Sequence, residues 1–269
     1  MLVFFLVALG ASAVGAVCGI GGGVIIKPVL DLLHLETVSA ISFLSGCTVL
    51  SMSCYSVGKS LLAGEKRVSL NVGTPLAVGA AAGGLLGSQL FALVRQMSDN
   101  PNRVGAVQAA CLAVITVGTL LYTLNKARIP THRVRAKAAC AVIGLALGCM
   151  SSFLGIGGGP INLVVLYFFF SMDTKTAAAN SLYIIFFSQL CSLLTTLATG
   201  SVPDFRWPVL ALMVAGGLGG GVLGRKLNQR LRGEGVERLF VVLMAVIICI
   251  SLFNTWRYSV ARAAARALF

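Results

Sequence analysis

The motif Gly-Ile-Gly-Gly-Gly occurs twice in the chain, at residues 19–23 and again at 155–159. Each copy interrupts a long apolar stretch, and four glycines in five positions hold a helix poorly. A helix that begins just after such a break presents free backbone N–H groups and the positive end of its dipole, and glycine lets a ligand approach them closely. The two breaks therefore predict an anion-binding site that needs no charged side chain.

Composition predicts that these breaks lie inside a membrane. The 269 residues have a mean hydropathy of +0.93, with 57% hydrophobic and only 11% charged residues, more apolar surface than a soluble domain needs. The chain is long enough for eight crossings of about 20 residues each. We predict an all-α, polytopic membrane protein with about eight transmembrane helices. The first residues lack a basic n-region and a cleavage site, so we interpret them as a retained first span.

The two halves of the chain match beyond the glycine motif. Glu36-Thr37 precedes the second predicted helix as Asp173-Thr174 precedes the sixth, and either pair can cap a helix start. The glycines at 83, 84 and 87 recur at 220, 221 and 224, and we interpret both sets as close helix packing. The sequence therefore predicts two four-helix repeats in which the first helix of each repeat is broken at GIGGG.

These repeats define the predicted organisation of the chain. An even number of crossings in each repeat would make the repeats parallel, whereas a re-entrant segment after each glycine break would make them inverted. The predicted segments are a first transmembrane repeat at 1–125, a basic linker at 126–137, a second transmembrane repeat at 138–257 and a basic C-terminal tail at 258–269.

The charge of the chain is strongly positive, with 21 Lys and Arg residues against 8 Asp and Glu and a formal net charge of +13. These charges lie between the apolar segments, where they set topology and meet anionic lipids, so no nucleic-acid partner is predicted. With eight crossings and the N-terminus inside, 12 basic residues face the cytoplasm and 8 face the other side. This excess favours cytoplasmic termini, although the basic cluster at 225–238 opposes it.

The sequence contains no catalytic or metal-binding pattern, so we predict no enzyme activity, no metal and no cofactor. His34 and His132 fall in predicted loops without partners at ligand spacing. Asp31, Glu36 and Asp173 lie near predicted helix ends, where they could act as caps. No Asp or Glu is predicted inside the membrane, so no residue is named as a proton relay. Eight cysteines lie in apolar segments as packing residues rather than in C-x-x-C pairs; they are Cys18, Cys47, Cys54, Cys111, Cys140, Cys149, Cys191 and Cys249.

Polar residues inside the apolar segments complete the predicted site. The ammonium of Lys27, four residues after Gly23, would attract an anion, but the alternative that it snorkels to the membrane surface is equally favoured. Asn162, Asn180 and Ser181 bring amides and a hydroxyl that need partners when buried, and Gln189 is left open between a site and a helix contact. The predicted substrate-binding residues are Gly21, Gly22, Gly23, Lys27, Gly157, Gly158, Gly159, Asn162, Asn180 and Ser181.

The paired motifs resemble a known family. The first G-x-G-G-G is followed by Pro28, and the second continues as Gly157-Gly158-Gly159-Pro160-Ile161-Asn162 through Lys175-Thr176-Ala177 to Asn180-Ser181-Leu182. This pattern is similar to that of the sulfite exporter TauE/SafE family, also called the toluene sulfonate uptake permeases. Two positions depart from it, since Pro160 follows the second glycine cluster directly and a Thr-Ser pair is replaced by Asn180-Ser181. The resemblance implies a multi-pass transporter of the bacterial inner membrane.

Two hypotheses of function follow. The first is a secondary transporter of small sulfur-containing anions such as sulfite or organosulfonates, in which the two halves rock about the site to give alternating access. The alternative is a membrane scaffold or assembly subunit without transport activity, which gives no reason for two broken helices. The predicted partners are a small anion and the lipid bilayer, and a coupling ion (H⁺ or Na⁺) and a homo-oligomer are both compatible with the sequence.

Overall fold

The computed structural model describes residues 1–33, 35–64, 69–97, 101–156 and 158–267, and within these ranges the chain is helical and contains no strand. A short 3-10 turn, Lys126–Arg128, follows the fifth helix. The helices are α1 (Leu2–Cys18), α2 (Gly23–Leu33), α3 (Val38–Leu62), α4 (Leu70–Gln96), α5 (Pro101–Asn125), α6 (Lys137–Leu154), α7 (Pro160–Phe170), α8 (Thr174–Ala198), α9 (Trp207–Arg230) and α10 (Gly233–Ala267).

Seven of the described helices are long and apolar enough to cross a membrane, namely α3, α4, α5, α6, α8, α9 and α10. This confirms an all-α, polytopic membrane protein. The expected number was about eight, and the difference lies in the first predicted span, which is divided into α1 with 17 residues and α2 with 11. Both predicted breaks are present, because α1 ends before the first GIGGG and α6 ends before the second.

The chain reverses direction at the first break. A Cβ added to Gly15 would lie 2.6 Å from the carbonyl carbon of Gly21, and one added to Gly22 would lie 3.1 Å from the Cα of Ser12. Further along, Ile26 and Leu30 of α2 share an apolar cluster with Phe4, Ala8 and Ala11 of α1. Residues of increasing number in α2 thus lie beside residues of decreasing number in α1, so the two helices form a hairpin.

The second break makes the same reversal. The last turn of α7 lies beside the segment that leads into α6, because the carbonyls of Phe168 and Phe169 accept hydrogen bonds from the amides of His132 and Val134 at 2.7 and 2.9 Å. The end of α7 therefore returns to the face of the molecule from which α6 started. Each half consequently enters the bundle with a re-entrant hairpin and continues with three helices that run from one face to the other.

These hairpins determine which connections share a face. We call the face where α1 begins the N-terminal face, and the opposite face, which carries residues 126–137, the linker face. At the N-terminal face, Arg206 before α9 pairs with Glu36 before α3 at 2.6 Å. At the linker face, Lys126 pairs with Glu237 in the first turns of α10 at 2.5 Å. Because three crossings separate the start of α1 from the start of α6, the two halves are oriented oppositely.

Glycines let the hairpins pack tightly against α4 and α9. A Cβ on Gly83 or Gly87 would overlap the carbonyls of Leu145 or Cys149 in α6. In the same way, a Cβ on Gly220 would lie 2.5 Å from the Leu9 carbonyl in α1. The interpretation of these glycines as packing residues is confirmed, since backbone contacts this close exclude any side chain.

The contacts of one half have counterparts in the other. Helix α4 packs along α6 as α9 packs along α1, α4 packs against α8 as α9 packs against α3, and α2 lies between α3 and α10 as α7 lies between α8 and α5. This arrangement favours the inverted alternative over parallel repeats. The predicted repeats, and the boundaries at 125, 137 and 257, stay predictions; α6 already begins at Lys137 and α10 continues to Ala267.

Two helix starts carry the caps that the sequence indicated. Thr37 Oγ1 accepts a hydrogen bond from the Ala40 amide at 3.2 Å at the start of α3. Asp173 Oδ1 accepts from the amides of Lys175 and Thr176 at 3.1 and 3.2 Å at the start of α8. Each cap stabilises the start of the helix that follows a hairpin, so both re-entrant segments end at a side-chain N-cap.

Candidate functional site

The breaks end their helices with glycines in the left-handed region. Gly19 (φ 76°) caps α1, and its amide donates to the Gly15 carbonyl at 2.8 Å. Gly155 (φ 64°) caps α6, and its amide donates to carbonyls of the preceding turn. A side chain at either position would strain the backbone, and it would also meet Ala178 beside Gly19 or Ser42 beside Gly155. Glycine is therefore needed here for both conformation and space.

The two broken segments touch each other inside the bundle. A Cβ on Gly23 would overlap the carbonyl of Ile156 in the second break and lie 2.9 Å from Ser45 Oγ. Gly21 and Gly22 are buried against α1. The two breaks thus cross in direct contact inside the bundle.

The glycines of the second motif are also enclosed. Gly158 (φ 125°) lies against Ile185, and Gly159 lies against the side chain of Ile156. Gly157, the remaining predicted glycine, lies outside the described residues. Gly21, Gly22, Gly23, Gly158 and Gly159 are therefore buried at or beside the crossing, whereas Gly155 of the second motif lines the cavity described below.

Lys27 lies deep in the bundle on α2, with 3% of its surface exposed. Its ammonium donates to Gln108 Oε1 at 2.5 Å, to the Leu154 carbonyl at 2.7 Å and to Ser42 Oγ at 3.1 Å. Three hydrogen bonds from α3, α5 and the tip of α6 satisfy the three donors of an ammonium group. The structure therefore excludes the snorkelling alternative, because the side chain is held inside and does not reach the surface.

A cavity of about 470 Å³ opens at the N-terminal face, between α3, α4, α8 and the tip of α6. Its mouth is formed by Arg95 and Gln96 at the end of α4 and by residues 200–203 between α8 and α9. Its inner end reaches Gly155 and Gly46. The wall carries hydroxyl and amide side chains, among them those of Ser42, Ser88, Ser152, Gln189, Ser192 and Thr196.

The electrostatics of this cavity suit an anion. Ser42 and Gly155 line it, and the Lys27 ammonium lies directly behind both, 3.1 Å from Ser42 Oγ and 3.2 Å from the place of a Cβ on Gly155. Arg95 stands at the mouth, and no acidic side chain lines the cavity among the residues that the structure describes. Hydroxyl and amide N–H groups can donate to an oxyanion while the two cations attract it.

The predicted polar residues of the second half lie outside this cavity. Asn180 is buried and links two elements, since its Oδ1 accepts from the Ser69 amide at 3.1 Å and its Nδ2 donates to the Thr176 carbonyl at 2.8 Å. Asn162 and Ser181 are fully buried, and their side chains have no hydrogen-bond partner among the described residues. Their role in substrate binding stays a prediction.

The cavity residues that the sequence analysis did not select carry a recognisable pattern. Gln189, which was left open, is 4% exposed and lines the inner part of the cavity with Ser192 and Thr196 of the same helix. Spacings of three and four residues place these three side chains along one face of α8. Ser39 and Ser42 occupy the first turns of α3 in the same manner. A search for polar residues at helical spacing within apolar helices would have found both groups.

A small cleft on the linker face is built from corresponding positions. It measures about 50 Å³ and is lined by residues that include Ser56, Ser60, Ala178 and Arg225. A shift of 136 residues relates Ser56 to Ser192, Ser60 to Thr196 and Ser42 to Ala178, and a shift of 137 relates Ser88 to Arg225. The Arg225 guanidinium donates to the Ser56 carbonyl at 3.1 Å, which joins α9 to α3 across this cleft.

No group of three or more His, Cys, Asp or Glu side chains that could hold a metal ion occurs in the part of the chain that the structure describes. The chemistry that the described residues offer is therefore hydrogen-bond donation and positive charge around a polar cavity.

Comparison with known proteins agrees with this geometry. The family model described as sulfite exporter TauE/SafE matches residues 4–251. The chain belongs to the sulfite exporter TauE/SafE family. A family member from Bacillus subtilis (strain 168), the probable membrane transporter protein YunE, is 24% identical over 91% of this chain and 95% of its own length. The probable membrane transporter protein of Xylella fastidiosa (strain Temecula1) is 29% identical over 43% of this chain and 42% of its own length.

A third relative is similar over a shorter part of its length. The probable membrane transporter protein MamO of Magnetospirillum gryphiswaldense is 33% identical over 40% of this chain, and the match spans 18% of MamO. No solved structure matches the chain. Family membership and the seven long apolar helices identify a multi-pass membrane transporter.

Proposed function

We propose that this TauE/SafE transporter moves a small sulfur-containing oxyanion, such as sulfite or an organosulfonate, across the bacterial inner membrane, and that the anion binds in the cavity at the N-terminal face. The observation that carries the proposal is a cavity of about 470 Å³ with hydroxyl and amide walls, a cation behind its inner end and another at its mouth. This volume lies within the range of small-molecule sites, about 300–1,000 Å³.

The inner end of the cavity supplies the contacts that an oxyanion needs. Ser152 Oγ is buried and has no hydrogen-bond partner among the described residues, and the Gln189 amide reaches the same space. The Lys27 ammonium holds Ser42 in place and brings a full positive charge to the wall. These contacts would bind the anion through hydrogen bonds and charge, which suits transport without a covalent step.

The matching cleft on the linker face supports an alternating-access cycle. The cavity and the cleft occupy corresponding places in the two halves, and the first measures about 470 Å³ whereas the second measures about 50 Å³. Rocking of α4 and α6 against α9 and α1 would close the first and open the second, and the anion would then leave on the other side. The structure thus represents one end of the proposed cycle, with access from the N-terminal face.

The distribution of basic residues orients this cycle. By chain order, segments at the linker face hold 14 of the 21 Lys and Arg residues, and those at the N-terminal face hold 6, with Lys27 buried between them. The positive-inside rule therefore makes the linker face cytoplasmic and both termini external. This reverses the orientation expected from eight simple crossings, because each re-entrant hairpin removes one crossing. The cavity accordingly opens to the outside.

The decisive experiment fills the cavity from one of its own helices. Gly46 lines the inner end, and a Cβ there would lie 3.1 Å from Gln189 Oε1, whereas a Cβ on Gly58 of the same helix would meet nothing within 4 Å. We expect Gly46→Leu to lower sulfite or sulfonate flux into proteoliposomes by about fivefold or more, because overpacking costs at least about 1 kcal/mol. The Gly58→Leu protein is the matched control and should transport normally.

Two results would contradict the proposal. Normal flux in Gly46→Leu protein of unchanged thermal stability would show that the anion does not use this cavity. The absence of any thermal stabilisation of the purified wild-type protein by sulfite, thiosulfate, sulfonates and carboxylates would instead support the alternative of a scaffold that moves nothing.

A further inference from the structure

A buried carboxylate lies one helical turn beyond Lys27. Asp31 is on α2 with 5% of its surface exposed, and its Oδ1 has no hydrogen-bond partner among the described residues. The sequence analysis placed Asp31 near a helix end, where it could act as a cap, and named no proton relay. The structure corrects this interpretation, because α2 starts at Gly23 and Asp31 faces the interior of the bundle rather than a free amide of a helix start.

The surroundings of Asp31 are polar and confined. A space of about 10 Å³, which is at the lower limit for holding one water molecule, lies between α2, α5 and α10, and its polar lining consists of Lys27, Asp31, Gln108, Ser251 and Asn254. Ser251 Oγ is buried and also lacks a partner in the described part of the chain. An ionised carboxylate with a buried oxygen that accepts no hydrogen bond is costly, and binding a proton reduces that cost.

The charges around Asp31 are few. On its own helix there is Lys27, and from α10 the Arg257 guanidinium donates to the Leu32 carbonyl at 2.7 Å. The groups of α5 and α6 that line the space are uncharged, and no charged side chain of α1 or α3 lines it in the described ranges. Asp31 therefore balances the charge of Lys27 when it is ionised and leaves that charge unbalanced when it is protonated.

Lys27 joins this small space to the anion cavity. Its ammonium lines the first and stands behind Ser42 and Gly155, which line the second. Building on the proposed transport of an anion, we propose that Asp31 is the proton-coupling carboxylate of this transporter and binds one proton for each anion that enters the cavity. The proton comes from hydronium in the water at the N-terminal face: one O–H bond of hydronium breaks, the O–H bond of the Asp31 carboxylic acid forms, and a water molecule is left.

The physical basis of the coupling is electrostatic. A proton on Asp31 frees the positive charge of Lys27 to attract the anion, and the anion in turn raises the affinity of Asp31 for the proton, because linkage is reciprocal. A proton suits this place better than a metal cation, since an ammonium lines the same small space and would repel a second cation. One proton bound with a monovalent anion such as a sulfonate makes a neutral pair, whereas one proton bound with a divalent anion leaves one negative charge.

The corresponding place in the other half lacks these groups. A shift of 136 residues relates Lys27 to Leu163 and Asp31 to Tyr167 on α7. The predicted stoichiometry is therefore one proton, bound in the first half of the chain.

The test measures anion affinity against pH on the purified full-length protein. Thiosulfate and methanesulfonate keep constant charge between pH 5.5 and 8 and are compared by thermal shift. For the wild type we expect the affinity to rise as pH falls, by up to about tenfold per unit for one linked proton. Asp31→Asn mimics the protonated carboxyl and should bind equally well at every pH. The matched control Glu234→Gln, an exposed carboxylate on the linker face, should keep the wild-type dependence.

Each outcome separates this inference from the proposed function. No binding of any tested anion at any pH would end the transport proposal, whereas binding with no pH dependence, or pH dependence that survives in Asp31→Asn, would overturn only the role of Asp31. Affinity that follows Na⁺ at fixed pH would reassign the coupling ion. If Asp31→Asn does not fold, proton uptake is measured on the wild type: about one proton per anion bound supports the proposal, and none refutes it.

Discussion

The cavity on the N-terminal face and the cleft on the linker face are built from corresponding positions, yet the first measures about 470 Å³ and the second about 50 Å³. The helices and the glycine contacts are matched, and so are the hydroxyls of Ser56 with Ser192 and of Ser60 with Thr196, whereas the volumes of the two spaces differ. The difference teaches that corresponding helices can enclose spaces of very different volume. A transporter built from oppositely oriented halves can exchange the two states by a rigid-body movement.

The lining of the two spaces also differs in one position that matters for closure. Arg225 of α9 bonds to α3 across the linker-face cleft, whereas Ser88, at the corresponding place in α4, bonds to the Leu85 carbonyl of its own helix. A guanidinium that joins two helices favours the closed state of the cleft, and the cavity contains no such bond at this position. In the proposed cycle, this hydrogen bond would hold the linker face closed while the N-terminal face is open.

The largest expected effect comes from disrupting the glycine contacts that pack α4 against α6 and α9 against α1. Gly83→Leu would push α4 from α6, and Gly220→Leu would push α9 from α1, because each side chain would overlap backbone. We expect each to lower the free energy of unfolding by about 3 kcal/mol or more, at or beyond the usual range for overpacking. Equilibrium unfolding in denaturing detergent measures this change in the free energy of unfolding.

The matched control for both is Gly118→Leu on α5, where a Cβ would meet nothing within 4 Å. A stability close to that of the wild type is expected for this variant. If Gly83→Leu and Gly220→Leu were equally well tolerated, the tight helix pairs on which the rocking movement depends would not exist.

A smaller effect is expected in the accessibility of the cavity compared with that of the cleft. Thr196 and Ser60 occupy corresponding places in the cavity and the cleft. In a background whose eight cysteines are replaced by alanine, a thiol reagent should label Thr196→Cys at least about tenfold faster than Ser60→Cys, because a minor conformer is populated at about 10% or less. The measurement is the labelling rate of the purified protein without substrate.

Removing the Arg225 hydrogen bond across the cleft should bring the labelling rates of Thr196→Cys and Ser60→Cys closer together. Arg225→Ser, which introduces the residue type of Ser88, is expected to raise the labelling of Ser60→Cys several-fold, since a hydrogen bond to a charged group contributes about 1.5–3 kcal/mol. Equal labelling of both cysteines before this change would mean that the two spaces do not represent open and closed states.

The smallest expected effect concerns the matched caps. Thr37→Ala and Asp173→Ala should each destabilise the protein by about 1 kcal/mol at pH 7, measured by thermal unfolding. Burial raises the pKa of Asp173, but hydrogen bonds from Thr176 and Lys175 lower it more, so the pKa lies below its ordinary value of 3.8. The carboxylate cap therefore stabilises above that value and is lost as the pH falls through its folded pKa, so the cost of Asp173→Ala should shrink in acid while that of Thr37→Ala does not.

Several elements of the fold were predictable because their causes are local. Hydropathy identifies the long apolar helices. Thr37 and Asp173 indicate helix starts, and the glycines at 83 and 220 indicate close packing. The candidate site was less predictable. Lys27 was selected because it interrupts an apolar run, but the cavity beside it is formed by Ser42, Gln189 and other side chains from three helices whose proximity no local pattern encodes.

The amino-acid sequence by itself determined that this chain is helical, lies in a membrane and breaks twice at glycines, since apolar length and backbone freedom are properties of neighbouring residues. Only the tertiary structure decided that the chain turns back at each break, that the breaks touch while the cavity lies to one side, and that Asp31 is buried near Lys27. These outcomes depend on contacts between residues far apart in the chain, such as Lys27 with Leu154. The free energy of such contacts depends on both segments together, so neither segment alone predicts it.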